Sequence, residues 1–181
     1  MKVIKPKKCA HCKTAFTPFR PLQKVCSPHC AAEVVKAVRE KQERKDLYIA
    51  KQKIKTRSEW LAEAQRWFNK FIRLRDANDS CISCGRHHTG QYHAGHFRSV
   101  GSSPQLRFNE LNCHKQCSVC NNYLSGNQLN YRRRLIEKIG AEAVEQLEAD
   151  QTPKHYTIDD IKQIKETYKA KIKELERAKN D

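Results

Sequence analysis

Eight of the nine cysteines in this chain fall into two groups of four, and each group has the spacing of a zinc site. The first group has a CxxC pair and a CxxxC pair with 13 residues between them, and it consists of Cys9, Cys12, Cys26 and Cys30. The second has two CxxC pairs with 32 residues between them, and it consists of Cys81, Cys84, Cys117 and Cys120. Zinc accepts four sulfurs in a tetrahedron, and this spacing lets both thiolates of a pair reach one ion. We therefore predict two structural zinc ions.

Two histidines near the first group leave the identity of its ligands open. His11 and His29 lie inside the two cysteine pairs, and either imidazole could replace a cysteine. Residues 1–30 contain few apolar side chains, so we expect them to fold around a metal, the alternative being an unstructured tail. For the second group the alternative is redox chemistry at the CxxC pairs. Cys113 belongs to neither group and is predicted to be a small buried residue.

The charge balance indicates a polyanionic partner. The chain has 36 Lys and Arg against 20 Asp and Glu, a net charge of +16, which favours salt-sensitive binding to nucleic acid. The sequence has no long apolar run, signal peptide or lipidation motif, so we expect a cytoplasmic protein without a membrane partner. Only 38% of the residues are hydrophobic, so we expect a limited core that relies on metal sites.

Composition divides the chain into an N-terminal zinc finger (1–30), a basic helical linker (31–55) and a third region (56–181). The linker has no glycine, proline or steady apolar stripe, which predicts an exposed helix. Thr56 and Glu59 have capping-box spacing and predict the start of the next helix. Apolar residues of that helix recur every three or four positions and include Trp60 and Trp67. Both tryptophans are predicted to be core residues rather than a base-stacking surface.

Within the third region we predict a compact core at residues 79–127. Its Cys, His, Asn, Gly and Ser composition predicts short strands and loops, with a helix beginning near Asn121. Further helices are predicted at 128–139, 141–149 and 157–178, the last beginning at the capping box of Thr157 and Asp160. The predicted fold class is therefore α+β, small and zinc-stabilised.

Between the central cysteine pairs lies a pattern of candidate catalytic residues. His96 is followed by Asn112, five residues before the second pair, and Asn121 comes directly after that pair. This order resembles the HNH, or ββα-metal, nuclease motif, including its zinc-framed members of the endonuclease VII type. The resemblance implies a hairpin and a helix that clamp one Mg²⁺ or Mn²⁺, with His96 as general base and Asn112 orienting it. The carbonyl oxygen of Asn121 suits such a hard cation, whereas thiolates select zinc.

The pattern extends beyond this motif into four runs of sequence. They are Ala94-Gly-His-Phe-Arg98, Pro104 to Glu110, His114 to Asn121, and Ser125-Gly-Asn127. These runs resemble the NinG family of lambdoid phages, the Rap recombination endonucleases, and a less specific similarity reaches both ends of the chain. The resemblance implies an endonuclease that cuts branched recombination intermediates, such as D-loops and Holliday junctions, in a bacterial host cell. A homodimer would suit a two-fold junction, and recombination proteins are further candidate partners.

One position departs from the HNH pattern. Many HNH enzymes carry Asp directly before the catalytic His, where this chain has Gly95, and His93 is the candidate to replace that Asp as a metal ligand. The departure supports an alternative, a non-catalytic zinc-finger protein that binds DNA or RNA through a decayed HNH site. For phosphate contacts we predict basic residues within and after the motif. They are Arg98, Lys115, Arg132, Arg133 and Arg134.

Overall fold

The computed structural model describes residues 5–179 as a mixture of helices and short antiparallel strands. This confirms the predicted combination of helix and sheet. The chain divides into two compact units, Met1–Lys55 and Thr56–Asp181, and each contains one cysteine quartet. Among the described residues, no helix combines the length and the apolar character needed to cross a membrane.

The first unit consists of a two-stranded sheet, a cysteine quartet and one long helix. β1 (Lys7–Lys8) pairs antiparallel with β2 (Ala15–Phe16). Helix α1 (Pro28–Lys53) begins where the Ser27 side chain accepts a hydrogen bond from the amide of Cys30, a favoured start for a helix with proline in its first turn. Cys30 is the one buried residue of α1, so the helix is exposed, as its missing apolar stripe predicted.

Two long helices form the base of the second unit. α2 (Arg57–Arg75) and α5 (Ile158–Arg177) pack against each other, and both begin at the capping boxes predicted for them. The side chains that they bury are aromatic and branched aliphatic, which fill the space between helices densely. Those residues are Phe68, Phe71, Ile72, Tyr168 and Ile172.

An antiparallel hairpin packs on α2. It consists of β3 (Tyr92–His96) and β4 (Cys113–Cys117), and His96 lies directly opposite Cys113. Directly opposed residues of an antiparallel pair point to the same face. On that face the ring of His96 lies 5.9 Å from the ring of Phe68 in α2, so the hairpin and the helix together enclose the candidate base.

The segment after the hairpin differs from the prediction. A single π-helical turn (Val119–Tyr123) follows β4, and the helix predicted to begin near Asn121 does not continue. The interruption is a run of three residues with positive φ, which L-residues adopt rarely and never as a helix. The run consists of Ser125, Gly126 and Asn127. It redirects the chain before α3 (Gln128–Ile139) begins.

A second cluster of buried side chains connects the end of the hairpin to the next two helices. α3 ends at Gly140, as predicted, and α4 (Ala141–Ala149) follows directly. The cluster contains aromatic and aliphatic residues from the loops as well as from these helices. They are Ile82, Phe97, Leu106, Tyr131, Leu135, Val144 and Leu147. This cluster supports the loop that follows His96.

The two tryptophans of α2 have different environments. Trp60 is 7% exposed and belongs to a small core with Tyr156 and Ile161, so its predicted core role is confirmed. Trp67 is only half-buried. One part of it packs against the core between α2 and α5, and the rest lines an open groove. The core prediction for Trp67 is therefore only partly right.

Candidate functional site

Each cysteine quartet has the geometry of a metal site. In both groups the four sulfur atoms lie within 4.8 Å of one another. The Sγ atom of Cys26 lies 3.6 Å from those of Cys12 and Cys30. A tetrahedron with zinc–sulfur bonds of about 2.3 Å has edges of roughly 3.8 Å, so the spacing fits. Both quartets can hold a structural ion such as zinc, with four sulfurs and without His11 or His29, whose side chains are exposed.

The four sulfurs of the first quartet cannot all ionise at neutral pH unless a cation is bound. Hydrogen bonding with the neighbouring thiols of Cys12 and Cys30 raises the pKa of Cys26 to about 12, because clustered sulfurs cannot all ionise at neutral pH. A bound divalent cation reverses this effect, since it stabilises the thiolate directly. The amide of Cys26 also donates to the Sγ atom of Cys9 at 3.4 Å, as is common around thiolate ligands.

The second quartet connects the hairpin to the loops on either side of it. The amide of Cys117 in β4 donates to the Sγ atom of Cys81 at 3.3 Å. The side-chain amide of Asn127 donates to the Sγ atom of Cys120 at 3.6 Å. Donors of this kind orient metal ligands and stabilise their negative charge. A metal held here would therefore fix the end of β4 and the turn that carries Asn121.

His96 is held in one orientation by the backbone. Its Nε2 lies 2.9 Å from the carbonyl oxygen of Arg107. Because a carbonyl only accepts, Nε2 carries the proton and Nδ1 keeps its lone pair. Nδ1 in turn lies 3.7 Å from the Sγ atom of Cys113. Burial lowers the pKa of His96 below its usual value, although the Arg107 carbonyl works in the opposite direction. The imidazole is therefore neutral at neutral pH.

Asn112 clamps the loop that supplies the carbonyl for His96. Its side chain is fully buried. Its Oδ1 accepts a hydrogen bond from the amide of Arg98 at 2.8 Å, and its Nδ2 donates to the carbonyls of Arg98 at 3.0 Å and Leu106 at 3.2 Å. These bonds hold both ends of the loop between residues 98 and 106. The geometry thus gives Asn112 a positioning role next to His96.

The space beside Gly95 is filled. A Cβ atom at Gly95 would collide with the side-chain oxygen of Gln116. His114 lies opposite Gly95 in the hairpin, and Gln116 comes two residues later in β4. Gln116 cannot easily move, because it is 1% exposed and its Nε2 donates to Ser83 and to the Gly126 carbonyl, both at 2.6 Å. Position 95 therefore has no room for the Asp that many HNH enzymes carry there.

His93 and Asn121 do not combine with His96 into a metal site made by the protein alone. Residues three apart on a strand point to opposite faces, so β3 turns His93 away from the face of His96. The amide nitrogen of Asn121 donates to the side chain of Asn122 at 2.8 Å. Between residues 5 and 179, the cysteine quartets are the only groups of three or more Cys, His, Asp or Glu positioned to share an ion. Within that part of the chain, neither His93 nor His96 therefore belongs to a group of three such ligands that could hold a catalytic Mg²⁺ or Mn²⁺.

Comparison with known proteins identifies the family. The model described as the Bacteriophage Lambda NinG protein matches residues 1–179. The chain belongs to the NinG family. Proteins named Protein ninG from Escherichia phage lambda and Salmonella phage P22 are each 40% identical to it, over 94% of this chain and 92% and 93% of their own lengths. The Protein ninG of Escherichia phage 933W is 38% identical over 97% of this chain and 96% of its own length. No solved structure matches the chain.

The predicted DNA-contact residues of this NinG chain have different surroundings. The structure contradicts the predicted DNA contact of Lys115, because the residue is buried and its ammonium group donates to the Ala77 carbonyl at 2.7 Å. Arg132 forms a two-point ion pair with Glu148, through bonds of 2.8 and 3.0 Å. Arg134 packs over Gly85. Arg133 is exposed.

Arg98 differs from the other arginines of this NinG chain. Its Nε atom is buried and has no hydrogen-bond partner among residues 5–179. Buried polar atoms normally have a partner in the folded protein or in a ligand. The backbone of Arg98 is fixed by Asn112 next to His96. The Arg98 side chain lies near Glu148 in α4, where it helps Arg132 to lower the pKa of that carboxylate.

Sequence reasoning missed a buried charge network under the hairpin of this NinG chain. Asp76 is 3% exposed, and its carboxylate accepts hydrogen bonds from Arg75 at 2.6 and 3.0 Å and from the amide of Lys115 at 3.0 Å. Its oxygen also lies 3.5 Å from the Nδ1 atom of His114. The network fixes β4 on the end of α2. No local sequence pattern predicts this network, because Arg75 and Asp76 are far from His114 and Lys115 in the sequence.

Replacing Asp76 with Asn is expected to destabilise the second unit by about 3 kcal/mol, because one partner of a buried ion pair is lost. Burial alone would raise the pKa of Asp76, but hydrogen bonds from His114 and Arg75 hold it well below its usual range. The stabilisation by ionised Asp76 is therefore fully present above about pH 4, the pKa of the carboxyl group in the unfolded chain. It is lost as the pH falls through the lower pKa of Asp76 in the folded protein. Urea unfolding of the wild type and of Asp76→Asn at neutral and acidic pH measures the difference in unfolding free energy at each pH.

The matched control for that measurement is Asp159→Asn. Asp159 is 91% exposed and pairs with Lys162 on the surface of α5, so its loss should change the unfolding free energy by less than about 0.5 kcal/mol. An Asp76→Asn effect that is equally small, or that is unchanged at acidic pH, would contradict the role given to the network.

Proposed function

We propose that this NinG-family chain is a metal-dependent endonuclease that hydrolyses phosphodiester bonds in branched DNA, with His96 as general base. The observation that carries the proposal is the way His96 is held. One ring nitrogen is fixed on the carbonyl of Arg107, and Asn112 clamps the preceding loop. A general base needs this kind of fixed tautomer and orientation.

The chemistry requires a water molecule to lose a proton as it attacks phosphorus. The neutral imidazole of His96 can accept that proton at Nδ1, since Nε2 is engaged with the backbone. In the substrate complex a water must therefore take the place of the Cys113 thiol as the neighbour of Nδ1. A divalent ion, when bound, supplies charge stabilisation at the phosphorane and the leaving oxygen.

The charge of the chain supports DNA as the substrate. The net charge is +16, and such an excess attracts a polyanion strongly at low salt. Arg98 follows His96 by two residues in the chain, and an arginine at this position is a candidate to bind a phosphate oxygen near the scissile bond. Phosphate contacts carry no base information, which suits an enzyme that selects branched shapes such as D-loops and Holliday junctions. A homodimer fits a two-fold junction, and recombination proteins are further partners to test.

A second candidate is a non-catalytic zinc-dependent protein that binds DNA or RNA. Two specific observations favour it. Gln116 fills the space beside Gly95, so the carboxylate that many HNH enzymes use for the catalytic metal has no place. The free lone pair of His96 faces the buried Cys113 thiol rather than open solvent. The net positive charge and the two cysteine quartets fit such a nucleic-acid binder as well as they fit an endonuclease.

A nicking assay separates the two candidates. End-labelled four-way junction, D-loop, linear duplex and a matched RNA duplex are incubated with the full chain in Mg²⁺, in Mn²⁺ or without added divalent ion. The endonuclease predicts cuts near the branch that require the added metal and are absent on linear duplex. Tight junction binding with no cleavage under any condition would contradict the endonuclease and favour the binder. Zinc content is measured in each sample, so that loss of structural metal is not mistaken for loss of catalysis.

A further inference from the structure

One exposed strip of α2 lines an open groove of about 550 Å³. Its residues recur at three- and four-residue intervals, which places them on one side of the helix. They are Glu63, Arg66, Trp67, Asn69, Lys70 and Arg73. Trp67 directly precedes Phe68, and neighbouring residues of a helix are roughly 100° apart around its axis. The groove therefore lies on a different side of α2 from the Phe68 ring that contacts His96.

Two lysine side chains place their ammonium groups near the indole of Trp67. The ammonium of Lys70 lies 6.0 Å from the centre of the indole, and that of Lys169 in α5 lies 5.4 Å from it. Arg66 and Arg73 are exposed on the same strip. Glu63 is the one carboxylate among the groove residues. A half-exposed aromatic ring with several cations beside it is the combination that binds unpaired nucleotides.

The ion pairs of these lysines do not prevent such binding. Lys70 pairs with Glu176 at 2.9 Å, and Lys169 pairs with Glu166 at 2.8 Å. All four side chains are between 30% and 63% exposed. Exposed pairs of this kind contribute little free energy, so a phosphate can replace the carboxylate at small cost.

We propose that this groove binds single-stranded DNA, with one base stacked on Trp67 and the adjoining phosphates on Arg66, Lys70, Arg73 and Lys169. The inference rests on the proposed function, because branched substrates such as D-loops carry an unpaired strand. Duplex DNA does not fit equally well, since its bases are already stacked and cannot reach the indole. The groove therefore gives the chain a means to recognise the unpaired strand next to a branch.

Intrinsic fluorescence tests the proposal, because Trp60 and Trp67 are the two tryptophans of the chain and Trp60 is 7% exposed. Single-stranded oligothymidylate is titrated into the wild type, Trp60→Phe and Trp67→Phe. We expect strong quenching in the wild type and in Trp60→Phe. We expect no quenching in Trp67→Phe, which keeps a ring for stacking, and about ten-fold weaker binding of the oligonucleotide by Trp67→Ala, which does not.

A second variant keeps the test decisive if Trp67→Phe loses structure. Arg66→Gln combined with Arg73→Gln changes only exposed side chains, and it should weaken oligonucleotide binding several-fold while far-UV circular dichroism and zinc content stay unchanged. Equal quenching by a blunt duplex of the same length would overturn the proposal. Quenching that survives in Trp67→Phe, or full affinity in the double arginine variant, would overturn it as well.

The nicking assay distinguishes failure of this inference from failure of the proposed function. If the wild type cleaves junctions but Trp67 shows no quenching, the groove proposal is wrong and the endonuclease stands. If Trp67 is quenched by single strands but no substrate is cleaved, the groove binds as proposed and the endonuclease is wrong. Quenching measured with His96→Ala should equal that of the wild type, since the groove does not include His96.

Discussion

Replacing His96 with alanine is expected to lower the rate of junction cleavage about 10²- to 10⁴-fold, the usual contribution of a positioned general base. Binding of the junction should change by less than about two-fold, because in the proposed mechanism the neutral imidazole acts on the attacking water and forms no ion pair with a phosphate. Single-turnover cleavage and a separate binding titration measure the two quantities. His96→Asn serves as a second variant that leaves a smaller cavity beside Phe68.

Two other residues of the second unit, His87 and Cys113, provide matched controls. His87→Ala removes an exposed histidine of the same segment and should leave cleavage unchanged. Cys113→Ala removes the thiol from Nδ1 of His96 and should retain cleavage, since burial raises the pKa of that thiol and keeps it a poor nucleophile. A loss of cleavage in Cys113→Ala as large as that in His96→Ala would contradict the assignment of the base.

The pH dependence gives an independent check on the base. In the proposed mechanism the neutral form of His96 is the active one, and burial lowers the pKa of His96 below its usual value. The cleavage rate should therefore fall as the pH drops through a value below about 6.5, and it should be flat at neutral pH. The residual activity of His96→Ala should lack this acid limb. An acid limb that persists in the variant would assign the proton transfer to another group.

The metal sites and several helix ends could be predicted from the sequence because they depend on local spacing. Two cysteines separated by two or three residues can bring their thiolates together within one turn, so each quartet could be predicted from its pairs. Thr56 and Thr157 formed the predicted capping boxes, since that motif involves four consecutive residues. The family, too, followed from short runs around His96.

The interior of the site could not be predicted, because it depends on contacts between distant residues. Nothing in the sequence indicates that Gln116 fills the space beside Gly95, a contact across the strands of the hairpin. Lys115 looked like a surface cation, yet its place in the buried strand β4 and the bond to Ala77 withdraw it from the surface. The π-helical turn at Asn121 depends on positive φ angles in the following residues, which composition does not reveal.

Loss of one ligand from the second quartet is expected to unfold the second unit. Structural zinc contributes an apparent free energy of about 10–16 kcal/mol in small zinc-binding peptides, similar to the total stability of a typical domain. Cys81→Ser should therefore lower the zinc content from about two ions per chain to about one. It should also abolish the cooperative thermal transition of the hairpin and its helices. Zinc analysis of the purified protein and circular dichroism melting measure both effects.

The same experiment on the other cysteines shows whether each quartet acts on its own unit. Cys9→Ser should also remove one zinc ion, but the second unit should keep its transition, because its own cysteine quartet and its buried clusters are unchanged. Cys113→Ala should keep both ions and cost about 1 kcal/mol, since Cys113 only packs against the core. Two ions retained in Cys81→Ser, or a second unit that still unfolds cooperatively without its zinc, would show that hydrophobic packing alone holds the hairpin beneath His96.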